Sequence, residues 1–287
     1  MKTIAGSLVC ALLLATLGCS GNETAESPVA KPTVTLNKDK AAIGSPLQIT
    51  YKFDVAQNAA IDGDYVVFLH VIEPDGEKLW QDDHAPTIPT SQWKPGQTIE
   101  YTRTIFVPNY PYIGEANLRI GLYNPASGDR LPLEAPVVSA HEYSAGKLNL
   151  LPQSENVFLI YDINRGWHPA EVDAADPTKE WQWTRKTAVI SLTNPKRDAT
   201  FYLEWDARTD LFNPPQQVVV KVGGQPIGTF AASSKDRTLT TFPITAAQFG
   251  ADNMAEITIE VDRTFSGSGT DNRELGLRVF HAFVEPK

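Results

Sequence analysis

From Val34 onward the apolar residues recur every second position and not every third or fourth. Leu47, Ile49, Tyr51 and Phe53 alternate with Gln48, Thr50 and Lys52, which predicts a strand with one buried face. Tyr65 to Ile72 is apolar on both faces except at His70, as a central strand would be. Glu73-Pro74-Asp75-Gly76-Glu77 follows as a turn, because proline presets φ and glycine accepts positive φ. Alternation returns over Thr98 to Val107, and again over 116–123, where Ala116, Leu118, Ile120 and Leu122 share a face. Short strands punctuated by Pro/Gly turns predict an antiparallel sandwich of immunoglobulin-like size over residues 32–140.

A second series begins near Asn156. Phe201, Leu203 and Trp205 alternate with Tyr202, Glu204 and Asp206, and Ala255, Ile257, Ile259 and Val261 alternate with polar residues. Gly223-Gly224 between apolar runs is a two-residue hairpin signal. Leu275 to Val284 reads as a final strand, and only Thr245 to Phe249 looks helical. The expectation is an all-β chain of two antiparallel β-sandwich domains. The second, over 156–287, is jelly-roll-like, and residues 141–155 form the linker.

Composition narrows the function classes. A chain of 287 residues with 42% hydrophobic content is long enough for two such cores. A net charge of -9 argues against nucleic acid as a partner, since phosphate binding needs clustered Lys and Arg. The two cysteines, Cys10 and Cys19, both precede residue 20, which excludes a disulfide scaffold or a cysteine-ligated metal in the folded part.

The amino end carries an address. Lys2 precedes an apolar run from Ile4 to Leu17, about 21 Å as a helix. That is too short for a bilayer core of about 30 Å and fits a secretory signal. Gly18-Cys19-Ser20 at its end resembles the lipoprotein signal, in which cleavage before the cysteine leaves it to carry lipid, although Thr16 stands where Leu is usual. The resemblance implies a signal peptide over 1–18, lipid on Cys19, and a tether over 19–31 whose composition cannot order itself. The other reading is an ordinary signal peptide in which Cys19 is incidental.

Phe68-Leu-His-Val-Ile-Glu-Pro-Asp-Gly76, Trp80-Gln-Asp-Asp-His84, Trp93-Lys-Pro-Gly96 and Gly121 to Pro132 resemble a β-sandwich module of bacterial envelope proteins. Such modules are found in surface lipoproteins or appended to membrane glycosyltransferases. Gly166-Trp167, Trp181-Gln-Trp183 and Asp271-Asn-Arg-Glu-Leu-Gly276 are similar to a second module of the same setting. The resemblance implies a fold and an envelope location, and associates the chain with glycans only by company.

No Gly-x-Ser-x-Gly, phosphate-binding glycine loop or His-Glu-x-x-His occurs. Asp82-Asp83-His84 has metal-compatible residue types, but consecutive loop residues seldom converge on one ion, so a capping loop is expected. His70 and His281 read as hydrogen-bonded core histidines. Glu204 with Asp206, and Glu260 with Asp262, lie two apart on strands and could flank a glycosidic bond. Charged solvent faces of sandwich strands explain them better. Asp173, Asp176 and Glu171 read as a solvated acidic loop, with a calcium site as the rival reading. No catalytic residue, metal or cofactor is therefore assigned.

Aromatics carry the preferred expectation, because sugar rings stack their C–H faces on tryptophan. Trp181 and Trp183 alternate onto one face of a strand, pointing outward if the phase of Ala188, Ile190 and Leu192 holds and into the core if the chain bends near Arg185. Trp167 could flank the same surface, with Glu171 or Arg273 contacting hydroxyls, while Trp80, Trp93 and Trp205 are assigned to packing. The expected protein is a non-catalytic binding or assembly lipoprotein of a bacterial cell envelope, outer membrane or periplasm-facing. It would be held to the membrane by lipid and bind a polysaccharide or glycoconjugate. The alternatives are a protein-interaction subunit of a surface assembly and a glycan-active hydrolase.

Overall fold

The computed structural model describes residues 26–109, 112–153, 159–176, 179–267 and 269–287. Its first nine strands are β1 (Ala30–Leu36), β2 (Lys40–Ala42), β3 (Pro46–Val55), β4 (Val66–Ile72), β5 (Lys78–Gln81), β6 (Thr98–Phe106), β7 (Gly114–Tyr123), β8 (Val137–Ser139) and β9 (Glu142–Leu151). Twelve more follow: β10 (Leu159–Tyr161), β11 (Glu171–Val172), β12 (Glu180–Trp183), β13 (Thr187–Thr193), β14 (Ala199–Asp206), β15 (Gln216–Val222), β16 (Gln225–Ala232), β17 (Thr238–Ile244), β18 (Met254–Val261), β19 (Phe265–Ser266), β20 (Glu274–Leu275) and β21 (Arg278–Pro286). Among the described residues one α-helical turn, α1 (Ala246–Phe249), starts at a capping box between Thr245 and Gln248. No helix of the described residues is long and apolar enough to cross a membrane. The chain is all-β.

The first module faces sheet β1-β3-β6 against sheet β2-β9-β7-β4-β5, with β8 on the edge of β9. Pairings are antiparallel except β2 with β9. The alternation does the work expected of it. Leu47, Ile49, Tyr51 and Phe53 of β3 are buried against Val67, Leu69, Leu118 and Ile120 of the opposing sheet, each such side chain contributing about 1.5–3 kcal/mol. A polar cluster around Asp82 and His84 sits inside this core. Asp82 accepts from Tyr51 Oη at 2.8 Å and from Arg103 through Nε at 2.9 Å and Nη2 at 2.8 Å. His84, with Nδ1 3.3 Å from Asp82 Oδ2, shares Nε2 with Tyr101 Oη at 2.8 Å. Asp82 and His84 are therefore interior partners rather than the two ends of a capping loop.

The second module faces sheet β10-β13-β18-β15-β16 against sheet β11-β12-β21-β14-β17. Ile190, Val218, Val220 and Ile257 from one side meet Phe201, Leu203 and Val284 from the other, all buried. Gly223 and Gly224, both at positive φ, form the hairpin between β15 and β16.

Two boundaries move. Residues 141–155, expected as the linker, contain β9, which pairs with β7 and buries Tyr143, Leu148 and Leu150. Its alternation is masked by Gly146 at φ 122°, beside a register shift at Leu118/Arg119. It is masked also by Glu142, a buried carboxylate held by Ser139, His70 and Arg119. The tether expected over 19–31 ends sooner. Val29 and Ala30 are buried, Val29 N donates to Pro132 O at 2.9 Å, and Ala30 opens β1. Cys19 lies outside the described residues.

The modules touch through the outer face of β14 and β21. Lys38 Nζ meets Glu285 Oε1 at 2.7 Å. The His281 ring lies 4.1 Å from that of Phe106, and its Nε2 is 3.1 Å from Gly44 O. A carbonyl can only accept, so the neutral ring carries its proton on Nε2.

Candidate functional site

Sheet register decides which aromatics face outward. β12 pairs with β21 through Gln182 opposite Val279 and Trp183 opposite Arg278. Val279 belongs to the core, so Gln182 shares the inner side, and Trp181 and Trp183 lie with Arg278 on the outer side. The bend expected near Arg185 exists, since β12 and β13 belong to opposite sheets, yet it comes after both tryptophans and leaves them on the outer side of their sheet, Trp181 half-exposed and Trp183 buried at 7%.

Arg278 organises this face. Its guanidinium carbon lies 5.2 Å from the centroids of Trp181 and Phe280 and 5.5 Å from that of Trp183, within cation–π range. Nε donates to Asp206 Oδ1 at 2.7 Å and Nη2 donates to Oδ2. Arg237 also lies over the Phe280 ring, at 4.0 Å. Trp181 and Phe280 stay half-exposed, whereas Trp183 is buried under the edge of Phe265. Glu204, outward on β14, is desolvated, which pushes its carboxyl upward against the opposing pull of Arg237.

The other expected site residues divide. Glu171 sits opposite Trp181 in the β11–β12 ladder and accepts from its indole Nε1 at 3.3 Å. Arg273 reaches Glu171 Oε1 at 2.5 Å and clasps Asp271 with Nε at 2.9 Å and Nη2 at 2.7 Å. These bonds hold the Asp271 carboxyl down at about 2. Glu171, Trp181 and Arg273 are thus brought together, but the two charged groups spend themselves on each other and act as a brace. Trp167 is corrected. It is 1% exposed in the core, donates Nε1–H to Val189 O at 2.8 Å and meets Tyr161 edge-on at 4.8 Å. Gly166 at φ 98° turns it inward.

Of the paired carboxylates, Glu204 has only the pull of Arg237 among the described residues, and the other three are engaged. Asp206 is held by Arg278, Glu260 meets Lys221 at 2.6 Å, and Asp262 accepts from the Gln217 backbone at 2.8 Å and from Arg263 at 3.1 Å. Asp173 Oδ1 caps its own loop through the backbone of Ala175 and Asp176. Among the described residues no three metal-type side chains cluster. Arg278, Phe280 and Arg237 were not singled out by the sequence. The alternation of Arg278 and Phe280 in the last strand was a signal, but their convergence on Trp181 is a matter of register.

What the face offers is a half-exposed indole and a half-exposed phenyl ring, 6.3 Å apart and steeply tilted to one another at 65°, with two arginines over them. It suits a ligand with apolar C–H faces and hydroxyl or acidic groups.

Comparisons with known proteins come from structures alone, since no family model and no curated protein matches. The chain is similar to the CBM51-2 and INT domains of Clostridium perfringens ZmpB at 11% identity and a TM-score of 0.26, over 61% of this chain and 38% of that one. It is similar to Bacteroides uniformis β-glucuronidase at 10% identity and 0.30, over 89% and 30%, and to the collagen adhesin of S. aureus at 11% and 0.20, over 91% and 97%. The chain spans well under half of the first two. Likeness at this level does not reach function, which rests on the chain's own residues.

Proposed function

We propose that the chain is a non-catalytic, lipid-anchored protein of a bacterial envelope that binds polysaccharide on the outer face of its second module. The observation that carries the reading is the half-exposed pair Trp181 and Phe280 with Arg278 between them. The half-exposed indole of Trp181 receives a sugar's apolar face at low entropic cost, and guanidinium groups donate to hydroxyl or acidic substituents. The anchor rests on the Ile4–Leu17 run ending at Cys19.

Affinity electrophoresis of the detergent-solubilised full chain in gels carrying neutral or acidic polysaccharides tests the binding. Retardation by at least one polysaccharide, weakened about tenfold (about 1.4 kcal/mol) by Trp181→Ala, is expected. Equal retardation of the two proteins sinks the reading. Metabolic labelling with palmitate tests the anchor, which requires incorporation that Cys19→Ser abolishes.

A second reading, a protein-interaction subunit, is favoured by edge strand β8, where Val137 is 72% exposed and Val138 is exposed beside it. A photo-crosslinker at residue 137 that captures one defined envelope protein, with no polysaccharide retarding the chain, would select it.

A further inference from the structure

The outer face of the first module holds a cleft of about 240 Å³ lined by Phe68, His70, Asp83, Tyr123, Gly128 and Arg130. That is below the about 300 Å³ at which drug-sized ligands begin to fit, and closer to a single sugar ring. Phe68 and His70 of β4 and Gly121 and Tyr123 of β7 lie on the side of the sheet away from the core, with Phe68, only 1% exposed, directly opposite Gly121. The Phe68 ring lies across that glycine, where a Cβ would come within 2.3 Å of it. It stacks on His70 at 4.6 Å and approaches Tyr123 at 6.1 Å.

Counting donors and acceptors shows what these side chains have left to give. Asp83 Oδ2 accepts from Gln81 Nε2 at 2.9 Å and from Tyr123 Oη at 3.3 Å, while Oδ1 is buried without a donor among the described residues. Leaving such an oxygen unpaired costs free energy. His70 spends Nδ1 on Glu142 Oε1 at 3.1 Å, and Glu142 is already balanced by Arg119 at 3.4 Å. Burial pushes the imidazole of His70 down despite that hydrogen bond, so the ring is neutral, with its Nε2 lone pair unspent. Arg130 stacks over Phe68 at 4.8 Å and gives one hydrogen bond, to Ala140 O at 3.2 Å. It has no carboxylate partner among the described residues.

The cleft therefore combines a guanidinium without a carboxylate partner, the unspent Nε2 of His70, the Asp83 carboxylate and the half-buried ring of Tyr123, above a Phe68 that is itself only 1% exposed. A bare anion would satisfy Arg130 but meet the Asp83 carboxylate. A neutral ring would satisfy the acceptors and leave Arg130 unpaired. We propose that the cleft binds one pyranose ring carrying an anionic substituent, its acidic group on Arg130, hydroxyls donating to Asp83 Oδ2 and His70 Nε2, and its C–H face against Tyr123. The site is independent of the second-module face.

Calorimetric titration of the detergent-solubilised full chain with glucuronate, glucose and acetate tests it, with each probe carried to about 20 mM, well past the millimolar range of weak specific binding. Glucuronate is expected to bind at least about tenfold more tightly than glucose or acetate. Arg130→Gln, a change at an exposed residue, should reduce glucuronate to the level of glucose, and Asp83→Ala should weaken both sugars. Trp181→Ala should leave glucuronate binding unchanged, and Arg130→Gln should leave polysaccharide retardation unchanged, so that either site can fail without the other. Saturation absent for all probes, equal binding of glucose or acetate, full affinity in Arg130→Gln whose thermal transition is unaltered, or loss in Trp181→Ala would each overturn the assignment.

Discussion

Arg278 clasps Asp206 with two nitrogens across the β14–β21 ladder while its guanidinium carbon lies 5.2 Å over the Trp181 ring. One guanidinium thus neutralises a carboxylate whose side chain is only 6% exposed and at the same time shapes the outer surface of the second module.

Breaking that pair should be costly, because the remaining carboxylate has little access to water. Arg278→Gln is expected to destabilise the second module by about 2–3 kcal/mol in urea unfolding. This is less than a fully interior pair would lose, since the arginine side chain is 30% exposed. A loss under about 0.5 kcal/mol, the range of an ordinary surface change, would mean that Asp206 finds water when its partner goes.

Asp82 predicts an acid transition in the first module. Burial alone would raise its carboxyl, but hydrogen bonds from His84 and Arg103 outweigh burial and hold it far below the usual carboxylate range. The unfolded chain takes up that proton near pH 4. The folded form then binds fewer protons, so the stabilisation is present above about pH 5 and is lost as the pH falls further. Melting temperatures followed from about pH 6 to pH 2 should fall more steeply in the native protein than in Asp82→Asn, whose melting should be lower and flatter throughout.

His281 makes the contact between modules pH-sensitive in the same sense. Burial lowers its basicity more than the hydrogen bond to Gly44 O raises it. Its contribution is therefore complete above about pH 6.5, the unfolded value, and declines as the pH drops through the lower folded one. Proton NMR of the ring should give a midpoint below about 6.5. Proteolysis between the modules should quicken across the same interval, and His281→Gln should remove the pH dependence. A midpoint at or above the unfolded value would contradict the prediction.

Gly166 is where backbone freedom is indispensable. A Cβ there would meet Thr187 O at 1.8 Å, at a φ of 98° that L-residues rarely adopt. Gly166→Ala should cost about 3 kcal/mol and release Trp167, visible as a red shift of tryptophan emission. Gly128→Ala, at positive φ in open space, should cost about 1 kcal/mol.

Most strands could be read directly from alternation, because burial on one face writes a period of two into the sequence, as at Phe201, Leu203 and Trp205. β9 could not, since a carboxylate at Glu142 and a glycine kink at Gly146 interrupt that period. The passage from β12 into β13 was legible only as a bend, because the exchange of sheets depends on Gly276 packing onto the Thr184–Arg185 backbone. Tryptophans on the second module were visible as residues, but Arg278 and Phe280 join them through register. The first-module cleft draws on the segments around Phe68, Asp83, Tyr123 and Arg130, which the sequence marks as motifs of a module and not as one site, because only the fold brings them together.

The first strand has a mechanical consequence. β1 is zipped antiparallel to β3 over 7 residues, from Ala30 opposite Val55 to Leu36 opposite Ile49. Tension drawn along the strand from its amino end loads these rungs together instead of peeling them singly. A body that grips a matrix while leashed at that end would carry the strain in shear, the direction in which a ladder of weak bonds is strongest.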